Sequence, residues 1–350
     1  MGISWSLDPA MKILAVHLGA GECSALEGAR LKRALKKYLR PRTQAQGRGV
    51  MEAVEVMKEI ESGGLANCGV GSNCTANGAV ENEACIMTGP KAFACVCLVP
   101  LPLSPTVLAS NWLAETAAPG YVKPLTVAYT ANPLTNPPPS HILTQPLLRD
   151  PNTPKTPKTP NTPKTPAHSD TAGVIYVSDC SGLSGLSGPG TKAGGTDSVC
   201  VSSSGGPRNK PPGRVGPCSV YGANTFRAGR VSTCVSGTGE ALIRTMICRK
   251  VSALIESEDF ERIRGELSLY MEEEPEFPHL GGISIFRKSD QTTLLIHFQT
   301  APSFVFGYSV QFQGPDLTRT PEHLQKLVYH SQPSKQVTVQ ILSIGDTTKS

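Results

Sequence analysis

The order of apolar patterns along the chain predicts a layered α+β domain. Three observations carry this. Strand-like runs rich in β-branched residues gather in the second half, at Val174-Ile175-Tyr176-Val177, 198–202 and 231–235. A helical stretch over 240–255 follows, with Leu242, Ile243, Met246, Ile247, Val251, Leu254 and Ile255 on one face. Strand-like runs then resume at 283–286, 293–298, 305–310 and 337–342.

The remaining elements are read in order. Lys12–His17 is a buried strand that ends in the turn Leu18-Gly19-Ala20-Gly21. That turn either brings backbone close to a ligand or simply joins strand to helix. A helix over 25–39 sets Leu26, Leu31, Leu35 and Leu39 on one face, with Arg30, Lys32, Arg33, Lys36 and Lys37 as its solvated face. A second helix over 50–60 carries Val50, Val54, Met57 and Ile60 about one turn apart. Asn67–Asn73 is a loop of small residues suited to a pocket wall, and 79–87 is a short strand. The stretch 98–105 is broken by proline, and 106–114 is a helix carrying Trp112. From about 118 to 168 the chain is a Pro/Thr-rich linker expected to be disordered, and its Asn152–Pro166 repeat is a polyproline-type tether. A Gly/Ser loop covers 180–196, and a shorter helix covers 259–271.

Composition narrows the function. The 350 residues make one large domain or two average ones, and the two sides of the tether are too unequal in hydrophobic content to require two folds. The net charge of +5 is mild, and no Lys/Arg cluster is interleaved with aromatics, so no direct nucleic-acid partner is expected. The 11 cysteines are odd in number, scattered and preceded by no secretory pattern. That points to free thiols and an intracellular location, cytoplasm or nucleus. Cys95-Val96-Cys97 and the pair Cys68 and Cys74 lack a second ligand pair at zinc spacing, so neither metal nor cofactor is expected. Met1-Gly2 with Ser6 fits a minimal myristoylation pattern but has no second anchor, and no apolar run reaches membrane-spanning length.

The chemistry centres on Asp170-Thr171, between the tether and the run at 174–177. A cut between them exposes a threonine that holds a hydroxyl and a free α-amine, a nucleophile with its own base. The amine's reference pKa of about 7.7–8.0 leaves it partly neutral at physiological pH. Asp-Thr is also a common dipeptide, and threonine opens many strands for β-propensity alone.

Further segments extend the pattern. Downstream in order come Ser203-Ser204-Gly205-Gly206, Gly213-Arg214-Val215-Gly216 and Ser236-Gly237-Thr238-Gly239-Glu240. Upstream are His17-Leu18-Gly19-Ala20-Gly21, the Asn67–Asn73 loop and Glu83-Ala84-Cys85-Ile86-Met87-Thr88-Gly89. The ordered set resembles the N-terminal-nucleophile (Ntn) hydrolase family of plant-type asparaginases and threonine aspartases. Ser204, Ser236 and Ile243-Arg244-Thr245 bring it nearest to the threonine aspartase (taspase) branch.

The resemblance implies a four-layer αββα sandwich made as a zymogen. Self-cleavage at Asp170–Thr171 would divide it into an α segment, 1–170, and a β segment, 171–350. Thr171 would be nucleophile and amine base, and Ser204 would orient its hydroxyl. Ser236 and the Gly237 N–H would form the oxyanion hole, while Arg214 and Gly239 would bind the substrate. The implied activity is threonine endopeptidase cleavage of protein substrates after aspartate, by a homodimer of α/β units. Ser204 and Ser236 also read as turn residues before glycine, and Arg214 as a surface residue in a Gly/Pro loop. Two rival functions stand beside the endopeptidase. One is an asparaginase or isoaspartyl peptidase, which Pro217 opposes because it replaces an aspartate that would hold a free α-ammonium. The other is an unprocessed, catalytically impaired binding partner. Its motives are the missing helical stretch before the tether, the long 180–197 loop and the short 223–230 segment.

Overall fold

A computed structural model describes residues 10–41, 49–116, 126–128, 171–178, 197–288, 292–313, 322–333 and 336–344. Asp170, the Asn152–Pro166 tether, the 180–196 loop and the Met1-Gly2 terminus lie outside the described residues.

The protein is a mixed α+β sandwich of two sheets with helices packed on them. The chain runs β1 (Ala10–Gly21), α1 (Ala25–Tyr38), α2 (Gly49–Gly63), β2 (Asn82–Met87), β3 (Phe93–Val99), α3 (Pro105–Thr116) and β4 (Thr126–Ala128). It continues through β5 (Ala172–Ser178), β6 (Asp197–Ser204), β7 (Thr225–Ala228), β8 (Val231–Gly237), α4 (Gly239–Thr245), α5 (Ile247–Glu256) and α6 (Phe260–Glu273). The last elements are β9 (Leu280–Arg287), β10 (Thr293–Gln299), β11 (Ser303–Gln313), β12 (Glu322–Ser331) and β13 (Thr338–Ile344). An eight-stranded sheet has the order β12-β11-β1-β5-β6-β2-β3-β4 and is antiparallel except for the β3–β4 pair. A five-stranded antiparallel sheet has the order β13-β10-β9-β8-β7.

Alternation along the strands explains the layering. On β5 and β6, Ala172, Val174, Tyr176, Val199 and Val201 join the core beneath α1, α2 and α3. Their neighbours Ile175, Val177 and Cys200 join a second core between the sheets. Every residue of β5 is buried, because helices cover one face and β8 and β9 the other. A third core lies where α5 and α6 pack on the smaller sheet.

Several sequence expectations change. The turn expected at Leu18–Gly21 is a bulge inside β1: pairing with β11 shifts register between His17 and Ala20, and Gly19 takes φ 110°. Leu26 is 77% exposed rather than facing the core. It lies nine residues before buried Leu35, which at about 3.6 residues per turn is half a turn out of phase. The α1 stripe is completed instead by Ala34 and Tyr38, and a capping box between Ser24 and Glu27 starts the helix. The helix expected over 240–255 is two helices, broken at Met246 with φ 50° and ψ 36°. Strands β3, β7 and β12 are additional. The β3 run is apolar throughout and so lacks alternation, because both of its faces are covered. Thr126–Ala128, inside the expected linker, pairs with β3.

One buried carboxylate ties the layers together. Glu61, near the end of α2, is fully buried. It accepts hydrogen bonds from Ser203 Oγ at 2.7 Å, Thr106 Oγ1 at 2.6 Å and the Thr106 N–H at 3.3 Å, and one from Ser104 Oγ. It thereby joins α2, the start of α3 and the end of β6. No described helix is long and apolar enough to cross a membrane, and the described cysteines form no disulfide with one another.

Candidate functional site

Sheet register sets Thr171 beside Ser204. β5 and β6 pair from Ser178 with Asp197 to Ala172 with Ser203, and one further step sets Thr171 opposite Ser204. Both are 3% exposed. Alternation turns them toward the smaller sheet, on the same face as Ile175 and Cys200. On the other side of β6, Ser204 pairs with Glu83 of β2, so three adjacent strands contribute to one end of the inter-sheet space.

Gly173 lets the second sheet close on this end. A β-carbon there would lie 2.1 Å from His17 Nε2 and 2.8 Å from the Cys234 β-carbon. β8 and β6 advance in step. Ser232 Oγ donates to Ser198 Oγ at 3.1 Å, and Cys234 Sγ approaches Val201 O at 3.7 Å. Ser236, two residues further along β8, therefore reaches the same end as Ser204. Ser236 is fully buried and its hydroxyl has no hydrogen-bond partner among the described residues. His17 is likewise buried, both of its ring nitrogens are unpartnered among the described residues, and burial pushes its pKa down to about 3, so the imidazole is neutral at pH 7.

The Ser204–Gly206 corner is braced from behind. The Gly205 N–H donates to Asn67 O at 2.7 Å, and Asn67 Nδ2 donates to Gly206 O at 2.7 Å. Asn73 Nδ2 donates to the same carbonyl at 3.0 Å. The Asn67–Asn73 loop thus supports the site as a wall. Ser204 Oγ accepts the Gly206 N–H at 3.1 Å. Among the described residues it makes no bond to Thr171, whose nitrogen in the intact chain is an amide and not yet an amine.

Arg214 lies in a loop strung between two glutamates. The Gly213 N–H donates to Glu81 Oε2 at 2.9 Å, and the Gly216 N–H donates to Glu83 Oε2 at 2.6 Å. The guanidinium donates Nε and Nη2 to Glu240 Oε1 at 3.0 and 2.8 Å. Its side chain is only 11% exposed, so it is not the free surface group that a Gly/Pro loop suggests. Burial raises the Glu240 carboxyl, but the Arg214 bond and charge outweigh it and hold the group below its ordinary value. Glu83 is raised by burial despite Arg214, the Gly216 N–H and Lys210, and its Oε1 has no hydrogen-bond partner among the described residues. Gly239 is a spacer: a β-carbon there would lie 2.4 Å from Arg214 Nη2 and 2.7 Å from Pro217 Cδ. Gly237 is a close approach too, with a β-carbon falling 2.8 Å from His279 O.

The structure therefore gathers Thr171, Ser204, Ser236 and Gly237 at one end of the inter-sheet space, with Arg214 and Gly239 reached through the Ser204–Glu83 pairing. Asp170 is outside the described residues. Glu83 and Glu240 stand within the sequence motifs, which imply no role for either. A charged residue opening an otherwise apolar strand was the available signal for Glu83. Glu61 and Lys210 carried no such signal. Among the described residues no group of three His, Cys, Asp or Glu is arranged to hold a metal ion. No protein-family model matches the chain, and a search of curated proteins finds no match.

Proposed function

We propose that the protein is an autoprocessing threonine endopeptidase that cleaves protein substrates after aspartate and is activated by its own cleavage at Asp170–Thr171. The observation that carries this is the meeting of Thr171, Ser204 and the unpartnered Ser236 hydroxyl where the two sheets converge. Helices packed on two facing sheets support an αββα sandwich of the Ntn-hydrolase kind. Its processed α/β units pair as a homodimer, within the cytoplasm or nucleus.

In this reading the Thr171 hydroxyl attacks the Asp170 carbonyl carbon. Collapse breaks the C–N bond and gives an ester, with the proton passing to the departing nitrogen. Water then splits the ester, leaving the Asp170 carboxylate and a free Thr171 amine. That amine takes the hydroxyl proton in each later turnover and returns it to the leaving amine of the substrate. Ser204 orients the hydroxyl. Ser236 and the Gly237 N–H carry the oxyanion, and Arg214 takes the side-chain carboxylate of the aspartate. Free asparagine is disfavoured as substrate: the residue after Gly216 is Pro217, buried and without charge, which holds no α-ammonium.

Intact mass after incubation of the purified protein tests the reading. Two fragments that together exceed 37.0 kDa by one water, the larger-numbered one beginning at Thr171, are expected, followed by cleavage of peptides after Asp. A persistent full-length chain overturns it and favours the non-catalytic binding partner. Ser236→Ala is expected to lower kcat by about 10²–10³-fold, the usual loss for one oxyanion donor. Thermal stability should hold or rise, because the removed hydroxyl has no partner to lose among the described residues. A variant that unfolds early while the residual folded fraction cuts normally would make Ser236 a packing residue.

A further inference from the structure

We propose that Lys210 is a second cation of the subsite for the acidic side chain, sharing the substrate's aspartate carboxylate with Arg214; this rests on the endopeptidase reading above. Lys210 is 3% exposed, and its ammonium donates one hydrogen bond, to the backbone carbonyl of Glu81 at 2.5 Å. Two of its three N–H donors have no acceptor among the described residues, and it forms no ion pair there. An ammonium buried without a direct counter-ion is costly unless an anion completes it.

The direction of the side chain indicates where that anion sits. A β-carbon on Gly206 would lie 2.9 Å from Arg214 Nη1 and 3.3 Å from Lys210 Nζ, so both cations converge over the Gly206 α-carbon. Gly206 is two residues from Ser204 and takes φ +72°. Arg214 spends Nε and Nη2 on Glu240, and Nη1 makes no hydrogen bond among the described residues; its neighbour is the unpartnered Glu83 Oε1, since a β-carbon on Gly216 would lie 2.3 Å from each. Glu81 and Glu83 lie near enough for their charges to favour the ammonium, but neither forms an ion pair with it among the described residues, and burial raises the Glu83 carboxyl toward its neutral form. Glu81 Oε2 accepts from Gly213, and Glu83 Oε2 accepts from Gly216 and Ser219. Backbone bonds hold the loop alongside the ammonium's bond to Glu81 O. Lys210 O accepts from the Ala76 N–H at 2.9 Å, and the neighbouring Asn209 N–H donates to Cys74 O at 2.9 Å. A carboxylate bound between Nη1 and Nζ receives charge-assisted bonds from two sides, whereas a neutral amide gains neither charge. Lys210 thus favours aspartate over asparagine at the scissile position.

The test uses the purified protein after incubation, when self-cleavage has released Asp170 from the subsite, and N-acetyl-L-aspartate as probe, with N-acetyl-L-asparagine as the neutral control, by titration calorimetry. The wild type is expected to bind the aspartate compound, and Lys210→Gln to weaken that binding at least tenfold without changing the control. Lys210→Met, which keeps the apolar stem, serves where glutamine disturbs folding, and Lys210→Arg is expected to restore most of the affinity. In the processed enzyme the same variants should raise KM for Asp peptides more than they lower kcat. Equal binding by wild type and Lys210→Gln, or an unchanged KM, overturns the subsite and leaves the protease reading standing. Lys210-dependent binding with no peptide cleavage retains the subsite and removes the protease. No binding of the probe by the wild type overturns the subsite outright.

Discussion

Thr171→Val is expected to keep the protein at 37.0 kDa through prolonged incubation and to abolish cleavage after Asp. Valine preserves the β-branched outline at the start of β5, and the side chain is almost fully buried. The threonine hydroxyl makes no hydrogen bond among the described residues, so stability should change little or rise slightly. Chemistry should suffer far more. Deleting a nucleophile in a comparable constellation costs on the order of 10⁶-fold in kcat, a barrier change beyond anything a shift in packing supplies. The contrast between intact stability and lost activity is the diagnostic feature, since a residue present only for strand propensity would show neither loss. Thr171→Ser retains a hydroxyl and is expected to process slowly rather than not at all. Intact mass and circular dichroism on both variants decide the matter. Processing of Thr171→Val at an undiminished rate would assign the cut to another nucleophile.

Elements with strong local patterns were legible from sequence, whereas the meeting of the site residues was not. The β-branched run 174–177 and the apolar spacing of Val50, Val54, Met57 and Ile60 specify their elements locally, and β5 and α2 contain them. Thr171 and Ser204 face one another only through the β5–β6 register, which no local pattern states. A resemblance of ordered motifs was the sole route to that pairing. The break at Met246 escaped because its apolar neighbours continue the helical spacing on either side, so periodicity alone favours one long helix. Buried charges were the hardest to see. Glu61 ends a helix whose other acidic residues meet solvent, and its partners Ser104 and Ser203 stand 43 and 142 residues away. Lys210 sits before Pro211-Pro212 in what reads as an exposed loop, and only the fold closes Gly206 and Glu81 around it.

Glu61→Ala should be among the most destabilising single changes in the molecule, by about 3–5 kcal/mol, because it strands several buried donors at once. Ser203, Ser104 and Thr106 each lose the acceptor of a hydroxyl, and the Thr106 N–H loses its acceptor near the start of α3. Urea unfolding measures the loss, and a change under about 1 kcal/mol would mean that water or rotated hydroxyls satisfy the stranded groups. Glu61→Gln separates the charge from the hydrogen bonds. Burial raises the Glu61 carboxyl above its ordinary value in spite of those four donors. A raised native value means that the native state holds the proton more tightly than the unfolded chain. The stabilisation is therefore complete below the unfolded carboxylate range near pH 4.5 and is lost as pH rises through the higher native value. Relative to Glu61→Gln, the wild type should lose stability with rising pH across that window, and parallel curves would refute the burial of an ionisable group there. The change reaches the site as well. Ser203 pairs with Ala172 and immediately precedes Ser204, so loosening it frees the end of β6 that faces Thr171. Self-cleavage of Glu61→Ala should accordingly slow even where the protein remains folded, although Glu61 lies on the helix side of the sheet, away from the reacting atoms.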